Sequence, residues 1–269
     1  MERTLIPSIS IGRRMGYGYL YNHHVLTDPR GIVNGDWRIP TLNDVIATRD
    51  RIYQKLLLPG GVPLNKVAAP MKSIRRFPEP DPEMSVDPYG GRTTQHPFWV
   101  HSTSHNPTNS SKLSILPAGL RNLNGNYQGF GGNAIFWTID QQHFNLGAGN
   151  DELTLSSFYS LSYGLAVRAV YDLPESVIDS PLYPDFQPEN NGYVGNNGLP
   201  YPIVKIGAYM WTMVNLAETH YNNAAPVNYI SGNAGWESAG ITEQPAFCAV
   251  RIDRNLVGRP FVGAEDINV

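Results

Sequence analysis

LSILPAGLRNLNGNYQGFGGNAIFWTID, residues 113–140, and SYGLAVRAVYD, residues 162–172, decide how this chain folds. The first stretch is a set of short strands and tight turns. Leu113, Ile115 and Leu116 form an apolar run that stops at Pro117. Asn124-Gly125 is a two-residue hairpin signal of type I′, because both turn positions need positive φ. Gly129, Gly131 and Gly132 let backbone pass where a Cβ would clash. Ile135, Phe136 and Trp137 read as a core strand, and Leu165, Val167, Ala169 and Val170 as the strand that closes it. Between these two strands, Gln141–Tyr163 is rich in Asn, Gln, Ser, Tyr and Phe. The pattern is that of a rigid scaffold carrying a polar and aromatic face.

Outward from this centre, residues 1–16 read as an N-terminal arm. Tyr17, Tyr19 and Tyr21 alternate as strand residues do. Trp37-Arg38-Ile39-Pro40 leads into a helix over Leu42–Leu57, with Thr41 as N-cap and Asp44 three residues on. That helix stops before Pro59-Gly60-Gly61. The insert Phe77–Gly91 has no periodicity and reads as a long surface loop. Residues 173–200, dense in Pro, Asn and Gly, read as a linker or an extended wrapping strand. Residues 251–269 are a C-terminal tail. Trp37 and Trp137, both in apolar strand contexts, are expected in the core.

The 269 residues hold 41% hydrophobic and only 16% charged side chains, with 26 Gly, 22 Pro and 15 Tyr. This profile fits a loop-rich β or α+β protein. A net charge of −3 gives no electrostatic case for nucleic acid. No apolar run approaches the ~20 residues of a membrane span. Met1-Glu2-Arg3-Thr4 is followed by a mixed segment without a continuous apolar stretch, so the chain reads as made without a secretion signal. The single cysteine, Cys248, excludes an intrachain disulfide. In the Ala246-Phe247-Cys248-Ala249-Val250 context it reads as a buried small hydrophobe.

Two parts of the sequence resemble the Fibrobacter succinogenes major paralogous domain, a branch of the C-type-lectin-like fold. The first is 17–172. Its matching motifs are Gly18–Val25, Arg30-Gly31, Asp36–Thr41, Ser114–Arg121, Gly125 with Tyr127, Phe136-Trp137-Thr138 and Gly164–Asp172. The second is 201–250, through Val204-Lys205-Ile206-Gly207, Trp211, Asn215-Leu216, Tyr221-Asn222, Pro226-Val227, Trp236 and Ala246-Phe247-Cys248. This second part resembles the beginning of the family pattern, so the order is reversed. The resemblance implies an α+β C-type-lectin-like fold of short antiparallel strands with one or two helices. It also implies a circular permutation, or 201–250 completing a neighbour's 17–172. In the family pattern Cys248 has a partner cysteine, whose place Ala169 takes here. The lost pair suits folding in a reducing cytosol.

Catalytic and metal signals are weak. His96, His101 and His105 sit in a Pro/Ser/Asn-rich loop without the rigidity a zinc site needs, and His23-His24 reads as structural packing. The Glu-Pro-Asn, Gln-Pro-Asp and Trp-Asn-Asp calcium motifs of classical C-type lectins do not occur, and Asn150-Asp151-Glu152 reads as a turn. No cofactor or metal is expected. The better functional candidates are Gln141, Gln142, His143, Phe144, Asn145, Asn150, Tyr159 and Tyr163, a set able to bind through aromatic contact and adaptable hydrogen bonds. Phe158 belongs either to this face or to the core. The expectation is a non-enzymatic binding or structural module in a bacteriophage virion: a head fibre, decoration or tail-tip protein. It would be a homo-oligomer that meets other virion proteins and a bacterial surface glycan or protein. The rivals are a bacterial surface adhesin and a carbohydrate-active enzyme.

Overall fold

The computed structural model describes residues 17–57, 60–74, 99 and 104–250. The expectations for the arm, the insert Phe77–Gly91, His96, His101 and the C-terminal tail lie outside the described residues. The first elements in chain order are β1 (Tyr19–Tyr21), the single-turn α1 (His23–Leu26), β2 (Trp37–Arg38), α2 (Leu42–Ile52) and the single-turn α3 (Ala68–Met71). Then follow β3 (Leu120–Arg121), β4 (Tyr127–Gln128), β5 (Asn133–Trp137), β6 (His143–Gly147), β7 (Leu153–Ser156) and β8 (Val170–Asp172). The last are the single-turn α4 (Glu175–Ile178), β9 (Pro188–Val194), β10 (Pro200–Ile206), β11 (Tyr209–Thr212), β12 (Asn228–Tyr229), α5 (Asn233–Ile241) and β13 (Ala246–Ala249). Strands are short and mostly antiparallel, which makes the class α+β. Among the described residues only α2 and α5 exceed a single α-helical turn.

The pairing joins the two halves of the chain. β1 lies antiparallel to β13, Tyr19 opposite Ala249 and Tyr21 opposite Phe247, with β12 on the far side of β13. The largest sheet runs β2-β8-β11-β10-β9, so 170–172 pairs with 209–211. The sheet β5-β6-β7 is built from consecutive hairpins. Two apolar clusters fill the interior. One gathers Phe136, Phe144, Val204, Trp211 and Trp236; the other gathers Tyr21, Ile135, Trp137, Ile203 and Phe247. Each takes side chains from both 17–172 and 201–250. Within one chain, 201–250 thus closes onto 17–172 in cis.

Two buried arginines reinforce that closure. Arg168 Nη1 donates to Leu113 O and Thr212 O at 2.6 and 2.7 Å, and its Nε donates to Asn215 Oδ1 at 3.0 Å. Arg121 Nη1 donates to Ile230 O at 2.5 Å and its Nη2 to Ser231 O at 2.8 Å, with the guanidinium 4.6 Å from the centre of the Trp236 ring. Each buried charge therefore spends its fork of donors on carbonyls that would otherwise go unsatisfied.

Several local expectations need correcting. The α-helix starts at Leu42 behind a capping box. Thr41 Oγ1 accepts from Asp44 N at 3.2 Å, and Thr41 N donates to Asp44 Oδ2 at 2.6 Å. It ends at Ile52, however, and Tyr53–Leu57 continues as a wider π turn. Asn124-Gly125 is not a two-residue turn. Among non-glycine residues with positive φ Asn124 does not appear, and 122–126 form a longer loop. Asn122 organises it, because its Oδ1 accepts from the amides of Asn124 and Asn126. Of the two readings of residues 173–200, a linker or an extended strand, the structure has the strand, the edge strand β9, and adds α4. Trp137 is fully buried and donates to Tyr21 O at 3.0 Å, as a core Trp should. Trp37 is only half-buried. It sits on a two-residue edge strand, covered by Tyr171 and Tyr193 at 5.8 and 4.8 Å between ring centres.

Candidate functional site

The face expected at Gln141–Tyr163 is carried by β6 and the segment after β7. A tight turn, Thr138 N to Gln142 O at 3.0 Å, links β5 to β6 and places Gln141 in the left-handed region at φ 63°. Alternation along β6 then splits the candidates. Phe144 and Leu146 point into the core, where Phe144 stacks on Phe136 at 4.8 Å. His143 and Asn145 point to the other face.

On that face lies an aromatic row. His143 stands edge-on to Trp137 at 6.2 Å and packs on Tyr159 at 4.6 Å, which packs on Tyr163 at 4.7 Å. His23 meets Trp137 edge-on at 5.2 Å and is held by its Nε2 against Thr138 O at 3.0 Å. Phe158, the residue before Tyr159 in the chain, is 93% exposed. His143 Nδ1, Asn145 Oδ1 and Ser156 Oγ are buried without a hydrogen-bond partner, and Ser156 lies directly opposite His143 in the ladder. Loss of water around His143 lowers its pKa from 6.5 to about 4, so the ring is neutral at pH 7.

The structure therefore brings His143, Tyr159 and Tyr163 together, with Asn145 on the same face of β6 and exposed Gln141 and half-buried Gln142 at the neighbouring turn. Two candidates fall away. Phe144 is a core residue because of the strand period. Asn150 sits at the far end of β6, where its Oδ1 caps Glu152 N at 3.0 Å and its carbonyl accepts from Lys72 Nζ at 2.6 Å. That is the turn expected of Asn150-Asp151-Glu152. His105 is tied by Nδ1 to Asp151 Oδ2 at 3.0 Å. Among the described residues no group of three His, Cys, Asp or Glu side chains is placed to hold a metal. Cys248 is fully buried, and its thiol is pushed above its ordinary pKa by that burial, which keeps it unreactive.

A second concave surface was not anticipated from sequence. It is a cleft of about 380 Å³ on the outer face of the five-stranded sheet. Its floor is Trp37, Tyr171, Ile203 and Met210, which share one side of β2, β8, β10 and β11 by register. Leu173, Val177 and Tyr183 make a wall, because α4 and the chain after it fold over the sheet edge. Arg51 fastens that cover, donating to Asp179 and Asp185 at 2.6 Å each, and Lys205 Nζ donates to Ile178 O at 2.6 Å. The residues come from separate segments, so no local motif reports the cleft. The only sequence signal was the outward aromatic in each of Asp36-Trp37-Arg38 and Val170-Tyr171-Asp172.

Comparison with curated proteins gives no match, and no solved structure matches the fold. A family model does: the Fibrobacter succinogenes major domain aligns with residues 10–170, more than half of the chain. Its span includes Ser114–Arg121, Phe136-Trp137-Thr138 and most of the closing strand, while 201–250 falls outside it. On that match, this chain belongs to the Fibrobacter succinogenes major domain family.

Proposed function

We propose that the chain is a non-enzymatic binding and structural module of a bacteriophage virion, working as a homo-oligomer among other virion proteins. It presents the face of His143, Asn145, Phe158, Tyr159 and Tyr163 to a ligand on a bacterial surface. The observation that carries this reading is Phe158, 93% exposed and next in the chain to Tyr159, whose ring packs between His143 and Tyr163. Covering a side chain this exposed with a partner would remove its apolar surface from water, a favourable term of about 1.5–3 kcal/mol for a ring of this size. Beneath this face, His143 Nδ1, Asn145 Oδ1 and Ser156 Oγ are buried without a hydrogen-bond partner. The free, buried Cys248 fits folding in a reducing host cytosol before assembly.

The test is attachment of the purified chain to a panel of bacterial cells, beside a native mass measurement. Wild type should bind at least one strain as an oligomer, and Phe158→Ser should lower binding about tenfold or more with thermal stability unchanged. Equal binding by wild type and Phe158→Ser would remove this face from the function. Cell binding by a stable monomer would remove the oligomer.

A further inference from the structure

We propose that the cleft between the five-stranded sheet and α4 is a second ligand site, a subsite for one pyranose unit of a neutral glycan; it rests on the reading of the chain as a binding module. Its size, about 380 Å³, lies within the range of about 300–1,000 Å³ usual for small-ligand sites. The lining chemistry narrows the ligand further. Trp37 and Tyr171 supply ring surface on the floor, and Tyr183, 45% exposed, stands on the wall. Met210, Ile203 and Val177 fill the remainder with apolar surface.

Three of the lining residues carry a polar ring atom: Trp37 Nε1, Tyr171 Oη and Tyr183 Oη. None of these atoms makes a hydrogen bond among the described residues. A purely aliphatic occupant would strip water from these groups without replacing it, at a cost of about 1–3 kcal/mol for each one left buried. A charged occupant finds no counter-ion, because no ionisable Asp, Glu, Lys, Arg or His lines the cleft. Charges on neighbouring sheet positions are already matched: Arg38 donates to Asp172 at 2.6 and 2.7 Å and bridges to Asp44 at 2.5 Å, and Lys205 Nζ donates to Ile178 O at 2.6 Å and to Asp185 Oδ1 at 3.3 Å. A neutral pyranose meets both demands. Its axial C–H face lies on an aromatic ring, and its hydroxyls accept from and donate to the ring N–H and O–H groups.

The cleft is also preorganised. The Arg51 and Lys205 contacts hold its cover onto the sheet, so little ordering is left for binding to supply. Gly192 on the rim is required there, since a Cβ would stand 2.1 Å from Ile203 Cδ1 and push the floor residue into the opening.

The experiment uses the full chain on an array of neutral and sialylated oligosaccharides, read in parallel with attachment to whole cells. The expected result is binding to at least one neutral oligosaccharide. Trp37→Ala and Tyr183→Ala should each weaken it about tenfold or more. Trp37→Phe should restore part of it, and Phe158→Ala should leave it unchanged. Trp37 and Tyr183 are partly solvent-exposed, so both variants are expected to keep their melting temperature to within a few degrees, which is measured alongside. Three outcomes would each overturn the subsite: no neutral glycan bound, preference for sialylated glycans, or loss through Phe158→Ala with Trp37→Ala intact. The two readouts separate the two claims. If no neutral glycan binds on the array while cell attachment falls with Phe158→Ser, the subsite is wrong and the binding-module reading stands. If wild type attaches to no cell, the module reading fails by itself.

Discussion

At the scale of the residue, burial and partner decide role more than residue type does. Trp37 and Trp137 look alike in sequence, each in an apolar run beside a turn. One ends on an edge strand half in water, and the other is fully buried with its indole N–H on Tyr21 O. His143 shows the same point with a consequence for pH. Burial lowers its pKa from 6.5 to about 4. Between those values the unfolded chain binds a proton that the folded chain refuses. Stability therefore falls as pH drops from about 6.5 toward 4 and does not change through this group above that window. His23 and His24 are lowered by burial as well and act in the same direction. Asp44, held low by Arg38 and Thr41 against its own burial, loses its contribution only at lower pH. Urea unfolding at pH 7 and pH 4.5 measures the effect. His143→Gln should reduce the acid-induced loss by about 2 kcal/mol, at about 1.4 kcal/mol for each pKa unit. An unaltered difference between the two pH values would mean that His143 is not the group being titrated.

At the scale of the element, local rules worked where the signal was local. The α2 start was legible because a capping box needs only four consecutive residues, and β5 was legible because both of its faces are buried. The 124–125 turn was misread because the side chain of Asn122, two residues upstream, offers the amides another acceptor. Alternation carried through β6 puts Phe144 in the core and His143 and Asn145 on the other face, where His143 packs on Tyr159. The cap makes a direct test. Thr41→Ala removes the acceptor of the Asp44 amide, and Asp44 stays bridged to Arg38. The loss should be about 1 kcal/mol. Asp44→Ala should cost more, because it breaks the cap and the ion pair together. The two variants are ranked by chemical denaturation, and equal losses would show that the Arg38 bridge adds nothing.

At the scale of the whole molecule, the α+β class and the 17–172 frame were readable from the ordered motifs, whereas the cleft was not, since it exists only after 173–183 folds over the sheet. The segment 201–250 lies beyond the family match, yet it supplies the middle strands of the largest sheet and the partner of β1. The last prediction follows from that pairing. Tyr19 sits opposite Ala249 in an antiparallel ladder, where paired Cα atoms are about 4.5–5.5 Å apart. The two ends of the described chain therefore emerge side by side, and a few Gly/Ser residues suffice to join 250 to 17. A new opening at Asn197-Gly198 falls in the turn between β9 and β10, where Gly198 is exposed at φ 76° with no atom near its Cα substituent position. The rearranged chain, 198–250 followed by 17–197, puts the two resembling segments back in the family's order. If the reversed order is a circular permutation of one fold, this chain folds as the 17–250 control does. Their melting temperatures should agree within a few degrees, because both keep the same pairings and exchange one loop closure for another. Circular dichroism and thermal unfolding of the two proteins decide it. A rearranged chain that fails to fold beside a folded control would show that continuity across Asn197-Gly198 is essential and that 201–250 is an appended piece rather than the displaced front of the domain.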